Sequence, residues 1–272
     1  MKSSANAYKR CRPLLGTFVE ISLWGDSEEG LAERGQIAFQ TIETISRSMS
    51  FHDPESELSA LNARPIGKWL NASELLLKVL NLALELQKKS GGCFNVATAR
   101  PLVSWGMLPG QKRKYDWKNM RVPGFEVQGN RVRRILPVQI DLGGMAKGFA
   151  VDQAVDAILS RGISGYVNAG GDVRVFGSKA QPVWIRSETK KGSVLRQVEV
   201  KNRSLATSSV FPEKSVYVDI LRKKPLSRRK TISVLADQCL IADALTKIGL
   251  LMSPRAASRI ASDYGATMKV FS

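Results

Sequence analysis

Sulfur and imidazole are scarce in this chain: Cys11, Cys93, Cys239 and a single histidine, His52, among 272 residues. Cysteines so few, odd in number and far apart exclude a disulfide framework and any zinc spacing. They suit a reducing compartment. No apolar run approaches about 18 residues, so no membrane-spanning helix is expected. Met1 to Pro13 carries Lys2, Lys9 and Arg10 but no apolar stretch, so no signal peptide is read there. The expected location is cytoplasmic, with an exported form not excluded. No repeat of fixed period occurs. Neither G-x-x-x-x-G-K-S/T nor G-x-G-x-x-G is present, which removes the common nucleotide fingerprints. Acidic residues are also short: 24 Asp and Glu face 41 Lys and Arg, a net charge of +17. The excess clusters at Lys112 to Lys114, Arg131 to Arg134, Lys190 and Lys191, and Arg222 to Lys224 with Arg228 to Lys230. Such clusters attract anions without selecting among them, and equally serve as solvated loops. Basic–aromatic alternation and a recognition helix are lacking, so specific nucleic-acid binding is not expected. Association with an anionic membrane surface through the basic patches stays open.

What the chain does have is two glycine turns at strand ends. Ile140 to Asp152 reads as a strand, then Gly143 and Gly144, then Lys147 near the start of a helix. Tyr166 to Asp172 repeats the pattern, with Gly170 and Gly171. A helix N-terminus offers unpaired N–H groups and the positive end of a dipole, which suits phosphate. Lys147 adds a point charge. The expected ligand is a phosphorylated cofactor; the alternative is two tight turns where glycine is favoured by sterics alone.

The rest of the chain mixes strands and helices without strict alternation, which predicts an α+β fold. Leu14 to Trp24 alternates like a strand. Ser27 to Met49 spaces Leu31, Ala38, Ile42, Ile45 and Met49 as a helix stripe. Ser56 to Asn62 reads as a short helix or turn. Asn71 or Ser73 caps a helix that Gly91 and Gly92 end. Gly110 to Pro123 reads as a loop, and Arg131 to Asp141 as a strand broken by Pro137. Further helices are expected over Lys147 to Ser160, over Leu240 to Leu251, and from Ser253-Pro254 onward. Further strands are expected at Ile163 to Ala169, Val173 to Phe176, Val183 to Ile185, Leu195 to Val200, Thr231 to Leu235 and Met268 to Phe271.

Four segments in order carry a resemblance. They are M-S-x-x-x-P-x-S-E-L-S-x-L-N at Met49 to Asn62, D-L-G-G-x-A-K-G-x-A-V-D at Asp141 to Asp152, V-N-x-G-G-D at Val167 to Asp172, and A-D-A-L at Ala242 to Leu245. Together they resemble the FAD:protein FMN transferase (ApbE) family. The resemblance implies one mixed α/β unit over residues 12–272, likened to the T-fold, with several antiparallel strands and packed helices. Residues 1–11 are then a basic N-terminal tail. It implies FAD and a divalent metal, usually magnesium. It also implies transfer of FMN to a Ser or Thr hydroxyl of an acceptor flavoprotein, or hydrolysis of FAD to FMN and AMP. Oligomeric state is left open.

Roles follow only where residues match. Met49, Ser50 and Glu57 resemble flavin-pocket residues. Gly143, Gly144 and Lys147 resemble the diphosphate cradle. Asn168, Gly170, Gly171 and Asp172 resemble the pocket floor, and Thr207 and Ser208 an A-T-S turn. The Ala146 carbonyl and Asp243 resemble metal ligands. There are also departures. His52 stands where the family usually has Tyr; it either stacks on the cofactor or is an exposed loop residue. Asn95 and Ala97 replace Asp and Thr. Of the family's H-x-x-D-P only Asp219 survives, in Val216 to Ile220, so the usual base is missing. Asp219, or a water held by Asp172, is the candidate replacement. Lys247 occupies the position of the metal-ligand Thr, and Thr246 lies about 100° around the helix. The Lys247 ammonium either takes the metal's place beside Asp243 or is a surface lysine beside a bound metal. Three functions therefore compete: an active transferase with altered parts, an FAD-binding relative without the chemistry, and a basic binding module. The motifs favour the first.

Overall fold

The computed structural model describes residues 6–25, 27–112, 117–118, 120–189, 192–210, 217–227 and 229–271. Arg113, Lys114, Lys190, Lys191, Val216 and Arg228 lie outside the described residues, as do residues 1–5 of the expected tail. In chain order the first elements are β1 (Asn6–Leu14), β2 (Thr17–Gly25), α1 (Glu28–Met49), α2 (Glu57–Ala63), β3 (Leu70–Asn71), α3 (Glu74–Lys89) and α4 (Ala99–Ser104). Then come β4 (Phe125–Gln128), β5 (Arg131–Arg134), α5 (Ala146–Ile158), β6 (Ser164–Ala169), β7 (Asp172–Phe176), β8 (Gln181–Thr189) and β9 (Gly192–Val200). The last are β10 (Ser204–Val210), β11 (Val218–Asp219), β12 (Lys224–Pro225), β13 (Lys230–Ala236), α6 (Cys239–Leu251), α7 (Pro254–Ser262) and β14 (Thr267–Phe271).

Seven strands form one sheet in the order β1-β2-β6-β7-β10-β13-β14, every neighbour antiparallel. Alternation along each strand decides which side chains face the helices. On β2, Val19, Ile21 and Leu23 are fully buried, while Glu20 on the other side meets the Tyr166 hydroxyl. Helices α1, α5 and α6 cover the first face. The stripe of α1 is buried as its spacing requires: Leu31, Ala38, Ile42, Ile45 and Met49, joined by Phe39. Each large member contributes on the order of 1.5–3 kcal/mol. The opposite face is covered in part by the β8–β9 ribbon, where Ile185 and Val200 pack on Val173, Val175 and Leu205.

Serine caps start the helices where expected. The Ser27, Ser56, Ser73 and Ser253 hydroxyls accept from Gly30, Ser59, Leu76 and Ala256 amides. Gly92, at φ +81°, ends α3 with its amide on the Gln87 carbonyl. Three expectations are corrected. The stretch read as a tail is the edge strand β1 from Asn6, in register with β2. The strand over Arg131 to Asp141 stops at Arg134, where Arg134 turns inward onto the Leu61, Arg64 and Val138 carbonyls. The A-T-S turn is the middle of β10, paired throughout with β13 and, at Ala206, also with β7.

Asp152 fastens α5 to the start of α6, which no side chain of its own caps. Its carboxylate accepts the Cys239 amide at 2.9 Å and the Leu240 amide at 2.8 Å, and meets Arg174 at 3.0 Å. This is an N-cap supplied from another helix. Asp152→Ala is expected to cost about 1.5–3 kcal/mol, the range for hydrogen bonds to a charged group, read as a lower midpoint in urea.

Candidate functional site

The first turn of α5 and the helix α6 meet at a missing side chain. A Cβ on Gly148 would lie 2.4 Å from the Cys239 carbonyl oxygen and 2.7 Å from the Asp243 Cβ. Only glycine permits this crossing. It brings the Gly148 amide to the Asp243 carboxylate at 3.1 Å. Gly143 and Gly144 have a different reason. Neither is among the glycines of positive φ; a Cβ on Gly144 would touch the Lys247 stem at 3.6 Å. By contrast Gly170 needs its φ of +63° and its lack of a side chain against Thr17.

These elements border a hollow of about 360 Å³. Gly143, Gly144, Lys147, Gly170, Asp172 and Lys247 line it, with Asp141, Thr207, Ser208 and Tyr217. Its size falls within the ordinary range for small-molecule sites. Helix α5 begins here with no capping bond from its own N-cap residue Met145; Asp243, from α6, caps its first turn at the Gly148 amide instead.

Two carboxylates and two ammonium groups sit together beneath it. Lys147 Nζ lies 2.9 Å from Asp172 Oδ2 and 3.8 Å from Asp243 Oδ2. Lys247 Nζ contacts Asp243 Oδ1 directly, one helix turn away. Asp243 is fully buried and Asp172 is 2% exposed. Burial opposes ionisation of Asp243, yet Lys147 and Lys247 outweigh it and hold its carboxyl below the usual range. Burial likewise works against the Lys147 charge, but Asp243 and Asp172 raise its pKa above the ordinary value. Asp172 goes the other way: burial, with the charge on Asp243, pushes it up to about 6 against both lysines. Asp141 is also raised by burial, with His52 and Lys147 near enough to oppose the shift.

The structure separates the other expected residues. Met49 is core, packed among the apolar residues of α1. Ser50 builds the following turn, its hydroxyl accepting from the His52 and Asp53 amides. Glu57 is held by Ser73 and Ser48. None of these three lines the hollow. His52 is exposed, edge-on to Phe51, close to Asp141 rather than inside the cavity. Asn168 and Gly171 close their own turn and border a second hollow on the opposite sheet face. Thr207 and Ser208, as neighbours on a strand, point to opposite faces: Thr207 to Ser233 and Ser208 to Thr246. Asp219 is occupied by the Arg222 amide and guanidinium and does not line the hollow, although Val218 and Ile220 do. Thr246 is tied to Ser208 and to the Asp243 carbonyl, away from the cluster. Tyr217, which the motif comparison passed over, reaches the hollow and lies close enough to bear on the Lys147 charge.

Several members of the basic clusters lie at the surface yet make pairs within the chain. Arg131 and Arg133 stack on Trp69, Arg133 pairs with Glu126, and Arg222 pairs with Asp219. No described helix is long and apolar enough to cross a membrane.

The antiparallel sheet, its helix layer and the glycine-bordered hollow define a mixed α/β ligand-binding unit. The chain belongs to the ApbE family, which it matches over residues 15–271. It is 28% identical over 262 residues to the FAD:protein FMN transferase of Vibrio cholerae, covering 86% of this chain and 78% of that one. It is 28% identical over 262 residues to that of Chlamydia pneumoniae, covering 87% and 80%. Among solved structures, the flavin transferase ApbE from Vibrio cholerae superposes with a TM-score of 0.83 at 22% identity, over 98% of this chain and 93% of that one. The ApbE protein from Thermotoga maritima gives 0.82 at 23% identity, over 97% and 94%. The mixed fold with its mainly antiparallel sheet is therefore that of the family's solved members.

The magnesium that the resemblance implies does not fit the residues as they stand. One Asp243 oxygen is in contact with the Lys247 ammonium, and the other accepts from the Gly148 amide with Lys147 close by. Among the described residues no group of three or more His, Cys, Asp and Glu side chains converges to hold a metal.

Proposed function

We propose that this chain is a FAD:protein FMN transferase acting through the hollow at the start of α5, and that the described chain from β1 to β14 works as one such unit. The observation that carries the reading is the Lys147 ammonium beside Asp172 in the first turn of α5, both lining the cavity. The family and the names of both relatives support it.

The diphosphate of FAD sits against Gly143, Gly144 and Lys147. A Ser or Thr hydroxyl oxygen of the acceptor flavoprotein attacks the phosphorus of the FMN half. The new P–O bond forms as the bridging P–O bond breaks, and its electron pair leaves with AMP. The hydroxyl proton passes to Asp172. Such transfer needs positioning and charge neutralisation above all. Lys147, with the positive end of the α5 dipole, supplies positive charge where the phosphoryl oxygens gather it. A carboxylate with a pKa of about 6 is well matched to take a proton near neutral pH. The same reading sets the reaction in the cytoplasm, in keeping with three unpaired cysteines.

The test incubates the full chain with FAD and a panel of flavoprotein acceptors, reading covalent FMN by intact-protein mass and AMP by chromatography. An FMN adduct with equal AMP is expected. FMN and AMP without an adduct would make the chain a FAD hydrolase, and neither product would overturn the reading.

The pH profile follows from Asp172. The base form is the deprotonated one, so kcat/KM rises as pH climbs through about 6 and levels off above it. Asp172→Asn is expected to remove that limb and lower kcat by about 10²–10⁴-fold, the usual worth of a proton acceptor.

A further inference from the structure

Lys247 presents a charge where the family's pattern puts a metal, and its surroundings fit that charge closely. The side chain is 8% exposed. Its stem runs past Gly144, where a Cβ would lie in van der Waals contact with it at 3.6 Å. Its ammonium rests on a carboxylate that is fully buried and faces the hollow's floor. Two ammonium groups balance two carboxylates in the cluster before any ligand arrives. Adding a divalent cation at Asp243 would require Lys247 to be expelled from that contact, and exchanging one ammonium for a divalent ion would leave an excess positive charge in a buried site. An isolated buried charge is costly.

We infer that the Lys247 ammonium takes the place of the divalent cation, so that this chain holds the FAD diphosphate without a metal. The inference rests on the proposed function for the identity of the ligand, but not for the metal itself. Lys247 then acts on two partners. It keeps Asp243 ionised and in place under the Gly148 amide. It also supplies, from the hollow's wall, a fixed positive charge toward the phosphates.

Separate readouts decide this. In the first, chelator-treated full chain is titrated with Mn²⁺ alone and then with Mn²⁺ plus FAD, following protein-bound Mn²⁺ by electron paramagnetic resonance and melting temperature by calorimetry. The wild type is expected to bind no stoichiometric Mn²⁺ and to melt at the same temperature with or without it. Lys247→Thr, which frees the Asp243 oxygen and adds a hydroxyl, is expected to bind one Mn²⁺ and to melt higher in its presence. A stoichiometric Mn²⁺ on the wild type, lost in Asp243→Asn, would overturn the inference. In the second, FAD affinity of the wild type is measured with EDTA and with magnesium. No difference is expected. A cation built into the FAD site would change affinity by about 5–150-fold, the ordinary range for two coupled ligands, and such a change would overturn the inference. A chain that bound no FAD at all would overturn the proposed function instead, and the Mn²⁺ result on the wild type would still decide the role of Lys247. That result stands even if Lys247→Thr does not fold.

Discussion

Asp243→Ala is expected to destabilise the chain by about 3–5 kcal/mol, because it strips the buried Lys247 of its carboxylate partner and takes from Lys147 the farther of two. That is the cost of removing one partner from a buried ion pair. The carboxylate is fully buried and contacts Lys247, Lys147 and the Gly148 amide. Without it Lys247 keeps no carboxylate in ion-pair contact among the described residues, and the Gly148 amide loses its acceptor at the α5–α6 crossing. At about 2–4 °C per kcal/mol for a chain approaching this size, the melting temperature should fall by on the order of 10 °C. Scanning calorimetry at neutral pH checks it. The double variant Asp243→Ala with Lys247→Met, which removes both charges, should recover much of the loss. Equal stability of the single variant and the wild type would mean that the cluster contributes nothing to folding.

The second large effect is on turnover. Lys147→Met keeps length and apolar stem but removes the charge that faces Asp172 and the cavity. A preorganised donor at a site of developing charge typically supplies about 10²–10³-fold in kcat, and a loss of that order is expected in FMN transfer. The acid limb of the pH profile should move as well. Lys147 opposes the rise of the Asp172 pKa, so its removal shifts the limb to higher pH. A purely structural role for Lys147 would lower activity without moving the limb. Single-turnover rates across pH, with FAD saturating, separate the two.

Much of this architecture was legible from side-chain order. The stripe of α1, the serine caps and the glycine that ends α3 are local features, and local physics placed them. Strand β1 was not legible because its residues are polar and basic, as an edge open to solvent permits. The resemblance makes Thr207 and Ser208 part of an A-T-S turn, and their small polar side chains carry no strand signal; the pairing of β10 with β7 and β13 makes them a strand. At the site, Lys147, Asp172 and Asp243 were found from their motifs, and the meeting of Lys247 with Asp243 from helix spacing. Met49, Ser50 and Glu57 were assigned to the flavin because they share a motif, yet that motif also carries the packing and capping of the α1–α2 corner. Sequence proximity cannot divide those jobs. Tyr217 gave no signal, since its approach to the cavity depends on how β11 is carried by the rest of the fold.

The absent side chain at Gly148 has a wider effect. With the Cys239 carbonyl and Asp243 pressed against that bare carbon, α5 and α6 cannot slide or part without dismantling the charges that hang from them. Loss of catalysis and loss of structure should then arrive together on heating, as one event and not as an early local failure. A bulkier residue at 148 would act like a wedge in a hinge: it would spoil chemistry from a place no substrate ever touches.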